Sequence, residues 1–153
     1  MTTSRRSFIA LAAVALMTRR LPALGAAPTP ITIYKSPTCG CCKDWIAYLK
    51  PLGFAAKVVD QTDEQMSELK MTMGVPSSVW SCHTAVVSNY VIEGHVPAED
   101  IRKMLATKPP ILGLSAPGMP QSSPGMYRAG DPRVPYDVVA WSRGGKVQTF
   151  AKH

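Results

Sequence analysis

The spacing of apolar residues divides most of the chain into short segments, each with either the alternating pattern of a strand or the spacing of a helix. Residues 31–34 (Ile-Thr-Ile-Tyr) alternate and are rich in β-branched side chains, which is typical of a strand. Apolar residues then recur at helical spacing and predict a helix over residues 42–52. The same two periods predict the remaining elements in chain order: a strand at 54–59, a helix at 63–73, a hairpin of 84–87 with 90–92, a helix at 98–106, and a hairpin of 137–141 with 147–151.

Residues at the helix ends support these boundaries. Thr62 followed by Gln65 has the spacing of a capping box, and Gly74 ends that helix. Glu99 and Asp100 stand in the first turn of the next helix, where the helix dipole favours negative charge. The order β-α-β-α-β-β-α, with a cysteine cluster after the first strand, predicts a mixed α/β fold of the thioredoxin-like type.

Residues 109–135 have a different composition from the rest of the chain. They contain seven prolines and four glycines, so we expect no regular structure there. A Pro-Gly-Met triplet at 117–119 recurs at 124–126. Because the C-terminal hairpin follows, the segment is held at both ends. We therefore expect an extended Pro/Gly/Met loop that crosses the domain, in place of a disordered linker.

The N-terminus has the three parts of an export signal. Two arginines precede ten uncharged residues, and small residues follow. The apolar run is shorter than the roughly 20 residues of a membrane-spanning helix, although a membrane anchor is the alternative. Ser-Arg-Arg-Ser-Phe-Ile at 4–9 resembles the twin-arginine motif. We therefore predict a signal peptide at 1–27, one domain at 28–153, and a periplasmic location without stable membrane insertion after cleavage.

The basic charge of the chain belongs largely to this signal. The whole chain carries 17 Lys and Arg against 10 acidic residues, a net charge of +7. The signal holds four arginines and no acidic residue, so its removal lowers the net charge from +7 to +3. No basic and aromatic residues alternate in the sequence, and nucleic acid is therefore not expected as a partner. In an oxidising compartment the four cysteines should form disulfides unless a metal or a redox role claims them.

The sequence Cys39-Gly40-Cys41-Cys42 contains a C-x-x-C spacing between a predicted strand and a predicted helix. At a helix N-terminus the backbone amides and the dipole stabilise a thiolate, which makes it a better nucleophile or metal ligand. A dithiol enzyme needs only two sulfurs, whereas a site for several soft ions has a use for the third. Two structural disulfides are the ordinary alternative in an exported protein.

A Cys-His pair precedes the predicted hairpin. Cys82 and His83 occupy the place where thioredoxin-like enzymes carry a cis-proline that faces the C-x-x-C pair. Thiolate and imidazole suit soft and borderline metals, and thiolates can bridge several Cu(I) ions. We therefore favour more than one Cu(I) ion, with a single tetrahedral zinc ion as the alternative. The candidate ligands at this end of the sheet are Cys39, Cys41, Cys42, Cys82 and His83.

Three further residues bear on this metal site. Met119 and Met126 lie in the irregular loop, and their thioethers are Cu(I) ligands, so we add them to the candidate ligands. Two methionines that only anchor the loop to the core are the alternative. His95 stands between a strand and a helix, where it could reach the same end of the sheet or cap the helix.

Four stretches of the chain resemble a known family: SPTCGCCKDW, GVPSSVWSCHTAVV, YVIEGHVPAEDIRKML and PGMPQSSPGM. They resemble the CopG-like family that accompanies bacterial copper-resistance systems, and the resemblance covers about residues 31–152. It implies a thioredoxin-like fold, a periplasmic location and Cu(I) held by thiolates. It places the ligand role on Cys39, Cys41, Cys42 and Cys82, and it suggests interconversion of Cu(I) and Cu(II).

The sequence therefore predicts a periplasmic copper-binding protein of copper resistance. Its expected partners are copper ions and other periplasmic copper-handling proteins. One alternative is a thiol-disulfide oxidoreductase with Cys39 as the nucleophile and Cys42 as the resolving thiol. Another is a structural zinc-binding domain. The sequence does not decide whether the protein is an enzyme, for which copper oxidoreductase is the candidate reaction.

Overall fold

The computed structural model describes residues 27–153, so the signal predicted for residues 1–27 lies outside the described residues apart from Ala27. The helices of the described part are α1 (Gly40–Leu49), α2 (Asp63–Thr72) and α3 (Ala98–Thr107). Its strands are β1 (Thr29–Lys35), β2 (Phe54–Asp60), β3 (His83–Val87), β4 (Tyr90–Gly94), β5 (Gly113–Ala116), β6 (Asp137–Trp141) and β7 (Val147–Lys152). Within residues 27–153, no helix combines the length and the apolar character that crossing a membrane requires.

The seven strands form one mixed sheet in the order β2-β1-β3-β4-β5-β6-β7. β1 pairs with β2 in parallel through the α1 crossover, and β3 and β4 form the antiparallel hairpin. The mixed α/β class and the order of the first seven elements are therefore confirmed, while the thioredoxin-like assignment stays a prediction. The capping box of α2 is present, because Thr62 and Gln65 exchange hydrogen bonds between side chains and backbone.

Two expectations from the sequence are wrong: the bounds of the first helix, and the absence of regular structure in residues 109–135. Helix α1 begins at Gly40, so two of the cysteines lie in its first turn, and residues 50–52 continue as a 3₁₀ turn. Residues 109–135 also contain a strand, β5, which pairs in parallel with β4 and antiparallel with β6. β5 is buried at all four positions, so it shows no alternation, and prolines on both sides conceal it. A Cβ at Gly113 would overlap the Val91 carbonyl and the Trp141 ring, so glycine is required there.

The main core lies between the sheet and helices α1 and α3. It includes Trp45, Leu49, Ile101 and Met104 from the helices, all fully buried, against Ile33, Ala85, Ile92 and Leu114 from the strands. Successive strand residues point to opposite faces of a sheet, so Thr84 and Glu93 face away from this core, towards α2. There they meet the amine of Lys70, which lies 2.9 Å from Thr84 Oγ1.

Topology brings three chain segments together at one end of the sheet. Lys35, the last residue of β1, pairs with His83, the first residue of β3. Because β4 runs antiparallel to β3, its last residues return to the same end. The segment after β1, the segment before β3 and the segment after β4 therefore meet, and each carries a cysteine or a histidine.

Candidate metal centre

Helix α1 begins inside the cysteine cluster. Cys39 is the N-cap residue, in extended conformation and without a side-chain hydrogen bond to the helix, and Cys41 and Cys42 belong to the first turn. Cys42 is fully buried, whereas Cys41 is partly exposed. The three cysteines therefore lie at the N-terminal end of α1, where the backbone amides of the first turn have no partner within the helix.

Two of these three cysteines are linked. Cys39 and Cys42 form a disulfide with their Cα atoms 5.4 Å apart, and Cys41 and Cys82 are free. The Sγ of Cys41 lies 3.6 Å from that of Cys39 and 4.0 Å from that of Cys82. The two structural disulfides considered from the sequence are therefore not both formed, and two thiols remain available beside the disulfide.

Cys82 stands between the cysteines and two buried histidines. Its Sγ lies 3.4 Å from Nδ1 of His83 and 3.2 Å from Nε2 of His95. Ligand atoms of Cys39, Cys41, Cys42 and Cys82, here named the cysteine group, all lie within 4.8 Å of one another. The same holds for Cys82, His83 and His95, here named the histidine group. Cys82 is therefore the donor that the two groups share.

His95 is held with one ring nitrogen facing Cys82. Its Nδ1 lies 2.7 Å from the carbonyl oxygen of Pro124, which can only accept a hydrogen bond. Nδ1 is therefore the protonated nitrogen, and the lone pair of Nε2 is left to face the Cys82 sulfur. A second hydrogen-bonding partner that fixes the tautomer is the usual arrangement of a metal-binding histidine.

His83 is enclosed by aromatic rings. Its ring centroid lies 4.5 Å from that of Trp45 and 5.2 Å from that of His95. Its side chain is fully buried, and its Nε2 has no hydrogen-bond partner among the described residues. Burial, followed by the nearby His95 and Lys70, holds the pKa of His83 well below its usual range. The ring is therefore neutral and can donate a lone pair.

The environment of Cys82 favours the protonated thiol when no cation is present. Burial and then the neighbouring Cys41 raise the pKa of Cys82 to about 12. Burial also lowers the pKa of His95 against the opposing hydrogen bond to Pro124, so the histidine group is uncharged near neutral pH. A metal ion that binds here must displace the Cys82 proton, and its own charge compensates for the thiolate it creates.

Comparison with known proteins assigns the family. The family model described as "Protein of unknown function, DUF411" matches residues 79–126. A solved structure described as copper resistance protein CopG, form 2, is 44% identical, with 82% of this chain and 98% of that chain covered, at a TM-score of 0.73. Form 1 of that protein is 43% identical over the same shares, at a TM-score of 0.72. No curated protein sequence matches the chain.

The chain belongs to the CopG-like copper-resistance family. The resemblance inferred from the sequence is thereby confirmed. The segment matched by the family model contains Cys82, His83, His95 and both Pro-Gly-Met triplets, but it begins at residue 79 and so does not include helix α1. The CopG structures cover most of the chain, so the family likeness extends beyond that segment.

The structure of this CopG-like chain brings five of the seven candidate ligands together. They are Cys39, Cys41, Cys42, Cys82 and His83. Met126 belongs to a triplet that lies over the centre. Pro124 of this triplet accepts the hydrogen bond of His95, and a Cβ at Gly125 would come within 2.6 Å of the backbone nitrogen of Trp45. Met119 has positive φ and is 40% exposed. The ligand role of all seven residues stays a prediction.

The sequence alone does not place His95, and it does not indicate the residues behind Cys82. The antiparallel register of β3 and β4 is the signal that places His95, because it returns the end of β4 to the start of β3. Glu93 accepts hydrogen bonds from the Ser81 amide and from Thr84, and it pairs with Lys70. A charged residue in a strand and a lysine in a helix are typical of solvated faces, so no sequence pattern indicated this buried pair.

Proposed function

We propose that this CopG-like chain is a periplasmic copper-binding protein of copper resistance that holds Cu(I) at its thiolate cluster. The observation that carries the proposal is the position of Cys82, whose sulfur is within 4.0 Å of a cysteine sulfur on one side and 3.2 Å of a histidine nitrogen on the other. Soft thiolates select Cu(I), and imidazole also suits copper. Copper resistance in the names of the related structures agrees with this chemistry.

The number of donors supports more than one ion. Once the Cys39–Cys42 disulfide is reduced, the centre offers six donors, four sulfurs and two imidazoles, and the Cys82 sulfur is common to both groups. One tetrahedral zinc ion uses four donors and would leave two unused. Cu(I) accepts low coordination numbers, and a bridging Cys82 thiolate could serve ions in both groups. Met119 and Met126 are the proposed additional ligands, from the loop.

The proposed location is the periplasm. The twin-arginine-like motif and the apolar run of residues 1–27 support it, as does the presence of a disulfide next to free thiols. Expression of the full chain with a C-terminal epitope, followed by cell fractionation, tests it. Replacing Arg5 and Arg6 by lysine should retain the protein in the cytoplasm if the twin-arginine route is used.

Anaerobic titration with Cu(I) tests the binding proposal. The reduced domain, residues 28–153, is titrated against a chromophoric Cu(I) chelator, and native mass spectrometry counts the ions. We expect more than one Cu(I) per chain and a lower count for Cys41→Ser. Met71→Leu is the matched control, because it removes a soft but 63% exposed thioether away from the centre. Preference for zinc over Cu(I) in direct competition would contradict the proposal.

A second function, oxidation or reduction of copper, is supported by the Cys39–Cys42 disulfide. Reduction of a disulfide consumes two electrons and two protons, and oxidation of two Cu(I) to two Cu(II) releases two electrons. Cu(I) is added anaerobically to the oxidised domain, Cu(II) is measured by electron paramagnetic resonance, and new thiols are counted by alkylation. Two new thiols for every two Cu(II) ions support this reaction, and Cys42→Ser should abolish it.

Thiol-disulfide exchange with a protein substrate is the competing use of the same bond. The Cys41 sulfur lies 3.6 Å from Cys39, so an internal thiol already competes for the disulfide. Insulin reduction by the metal-free domain tests this function. Turnover that persists in Cys41→Ser and Cys82→Ser variants would favour exchange over copper chemistry, because neither residue belongs to the C-x-x-C pair.

A further inference from the structure

A buried polar network lies behind Cys82, on the face of the sheet opposite to α1. Glu93 and Thr84 are fully buried, and Lys70 is 5% exposed. Glu93 Oε1 accepts hydrogen bonds from the Lys70 amine and, at 2.6 Å, from the Ser81 amide. Its Oε2 accepts one from Thr84 Oγ1 at 2.8 Å, and Thr84 Oγ1 accepts one from Lys70 at 2.9 Å. The Glu93 carboxylate, the Thr84 hydroxyl and the Ser81 amide therefore each have a partner, whereas the buried Ser81 hydroxyl has none among the described residues.

The network holds a stretch of backbone that the sheet does not hold. The pairing of β3 with β4 stops at Thr84 and Glu93, and that of β1 with β3 stops at His83. Ser81 and Cys82 lie beyond both limits. Glu93 accepts the hydrogen bond of the Ser81 amide, which therefore has a side-chain partner beyond the end of the paired strands. A Cβ at Gly94 would overlap the Ser81 side chain, so the glycine allows this close approach.

Burying an ion pair is not the most stabilising way to fill this space. Two charges lose their hydration, and apolar residues of similar volume are often as stabilising or more so. A buried pair that also binds backbone can instead specify one position of that backbone. The residue fixed here is the neighbour of Cys82, whose sulfur must be within reach of Cys41, His83 and His95 at once.

We propose that Glu93 is a positioning residue for the metal centre, which fixes Cys82 by binding the Ser81 amide through its buried carboxylate. The inference rests on the proposed Cu(I) site and adds to it a residue that touches no metal. Glu93 points to the α2 face of the sheet, so it is not itself a ligand. It belongs with the partners that orient ligands from behind, whose loss typically weakens metal binding by about 10–100-fold.

Two double variants isolate the hydrogen bond from the charges. Lys70→Met with Glu93→Gln removes both charges but keeps an amide oxygen for the Ser81 amide and an NH₂ group for Thr84. Lys70→Met with Glu93→Leu removes the charges and the acceptor together. We expect the glutamine variant to bind Cu(I) as the natural chain does, and the leucine variant to bind it about tenfold or more weakly. Circular dichroism melts confirm that each variant is folded.

A triple variant covers the case in which the leucine variant does not fold. Lys70→Met, Thr84→Val and Glu93→Leu together also remove the hydroxyl that would otherwise be buried without a partner. In this variant the Ser81 amide is the group that loses its hydrogen-bond partner. Equal Cu(I) affinity for the natural chain and a folded variant without the acceptor would overturn the proposal.

Measurements without copper separate this proposal from the proposed function. Hydrogen exchange at the Ser81 amide and the alkylation rate of Cys82 are followed in the metal-free domain. Both should increase in the variants that lack the acceptor and stay unchanged in the glutamine variant. If the natural chain binds no Cu(I), the proposed function fails, and these two rates alone decide the role of Glu93. Unchanged rates would overturn it.

Discussion

The cysteine group and the histidine group share Cys82 but differ in how the protein holds their other members. Cys39, Cys41 and Cys42 come from four consecutive residues at the start of one helix, and a disulfide already joins two of them. His83 and His95 come from two strand ends and are fully buried. The three cysteines are local in sequence and can change their oxidation state, whereas the two histidines depend on the tertiary fold and cannot.

This difference assigns different tasks to the two groups. A disulfide can store or release two electrons without any movement of the sheet. The histidine group keeps its donors neutral through burial, and its geometry is set by the Pro124 carbonyl and the Trp45 ring. In the proposed copper site, the cysteine group would thus change its number of donors with redox state, whereas the histidine group would keep its donors. The Cys82 sulfur is the only donor common to both groups within the described residues.

Replacing the shared donor should have the largest effect. Cys82→Ser leaves a hydroxyl, which is a poor ligand for Cu(I), and it removes one donor from each group. We expect Cu(I) affinity to fall by more than about 100-fold, beyond the usual loss of a residue that only orients a ligand. Competition with a Cu(I) chelator measures it. Cys41→Ser is the control, since it leaves the histidine group intact, and an equal loss in both variants would remove the distinction between the groups.

Replacing His83 should separate binding from stability. His83→Leu fills most of the ring volume and deletes a buried nitrogen that has no hydrogen-bond partner. We expect the free energy of unfolding to change by less than about 1.5 kcal/mol and Cu(I) affinity to fall about tenfold or more. Urea unfolding and chelator competition measure the two quantities. Unchanged affinity would make His83 a packing residue beneath Trp45.

The same contrast explains how much of the centre could be predicted from sequence. The C-x-C-C cluster is one short motif, so its position before α1 was evident. Cys82 and His83 were found because a strand pattern begins beside them. His95 needed the register of β3 and β4, and the Lys70–Glu93 pair needed the packing of α2 on the sheet. Strand β5 was missed because its four buried residues and flanking prolines carry neither period.

Replacing Gly125, where the loop approaches α1, should have the next largest effect, and this effect is a loss of stability. Gly125 has φ +83°, and a Cβ there would come within 2.6 Å of the backbone nitrogen of Trp45. Gly130 has φ +95°, but a Cβ there would have no neighbouring atom within 4 Å. Both Gly→Ala changes should cost about 1–3 kcal/mol through backbone strain. Gly125→Ala should cost a further 1–3 kcal/mol, roughly, through overpacking. Thermal unfolding compares them, and an equal loss of stability would show that the loop is not tightly packed on α1.

The smallest effect is expected at the outer edge of the loop. Arg128 forms an ion pair with Asp44 at 2.7 Å, but the two side chains are 59% and 51% exposed. Asp44→Asn should therefore lower the free energy of unfolding by less than about 1 kcal/mol, and added salt should reduce the difference. Arg128→Gln should cost more, because Arg128 Nη1 also donates to the carbonyls of Gly125 and Tyr127 at 3.1 Å. Urea unfolding at low and high salt tests both. If Asp44→Asn proves the more costly change, the loop is held to α1 by charge, and its hydrogen bonds and the close approach of Gly125 are secondary.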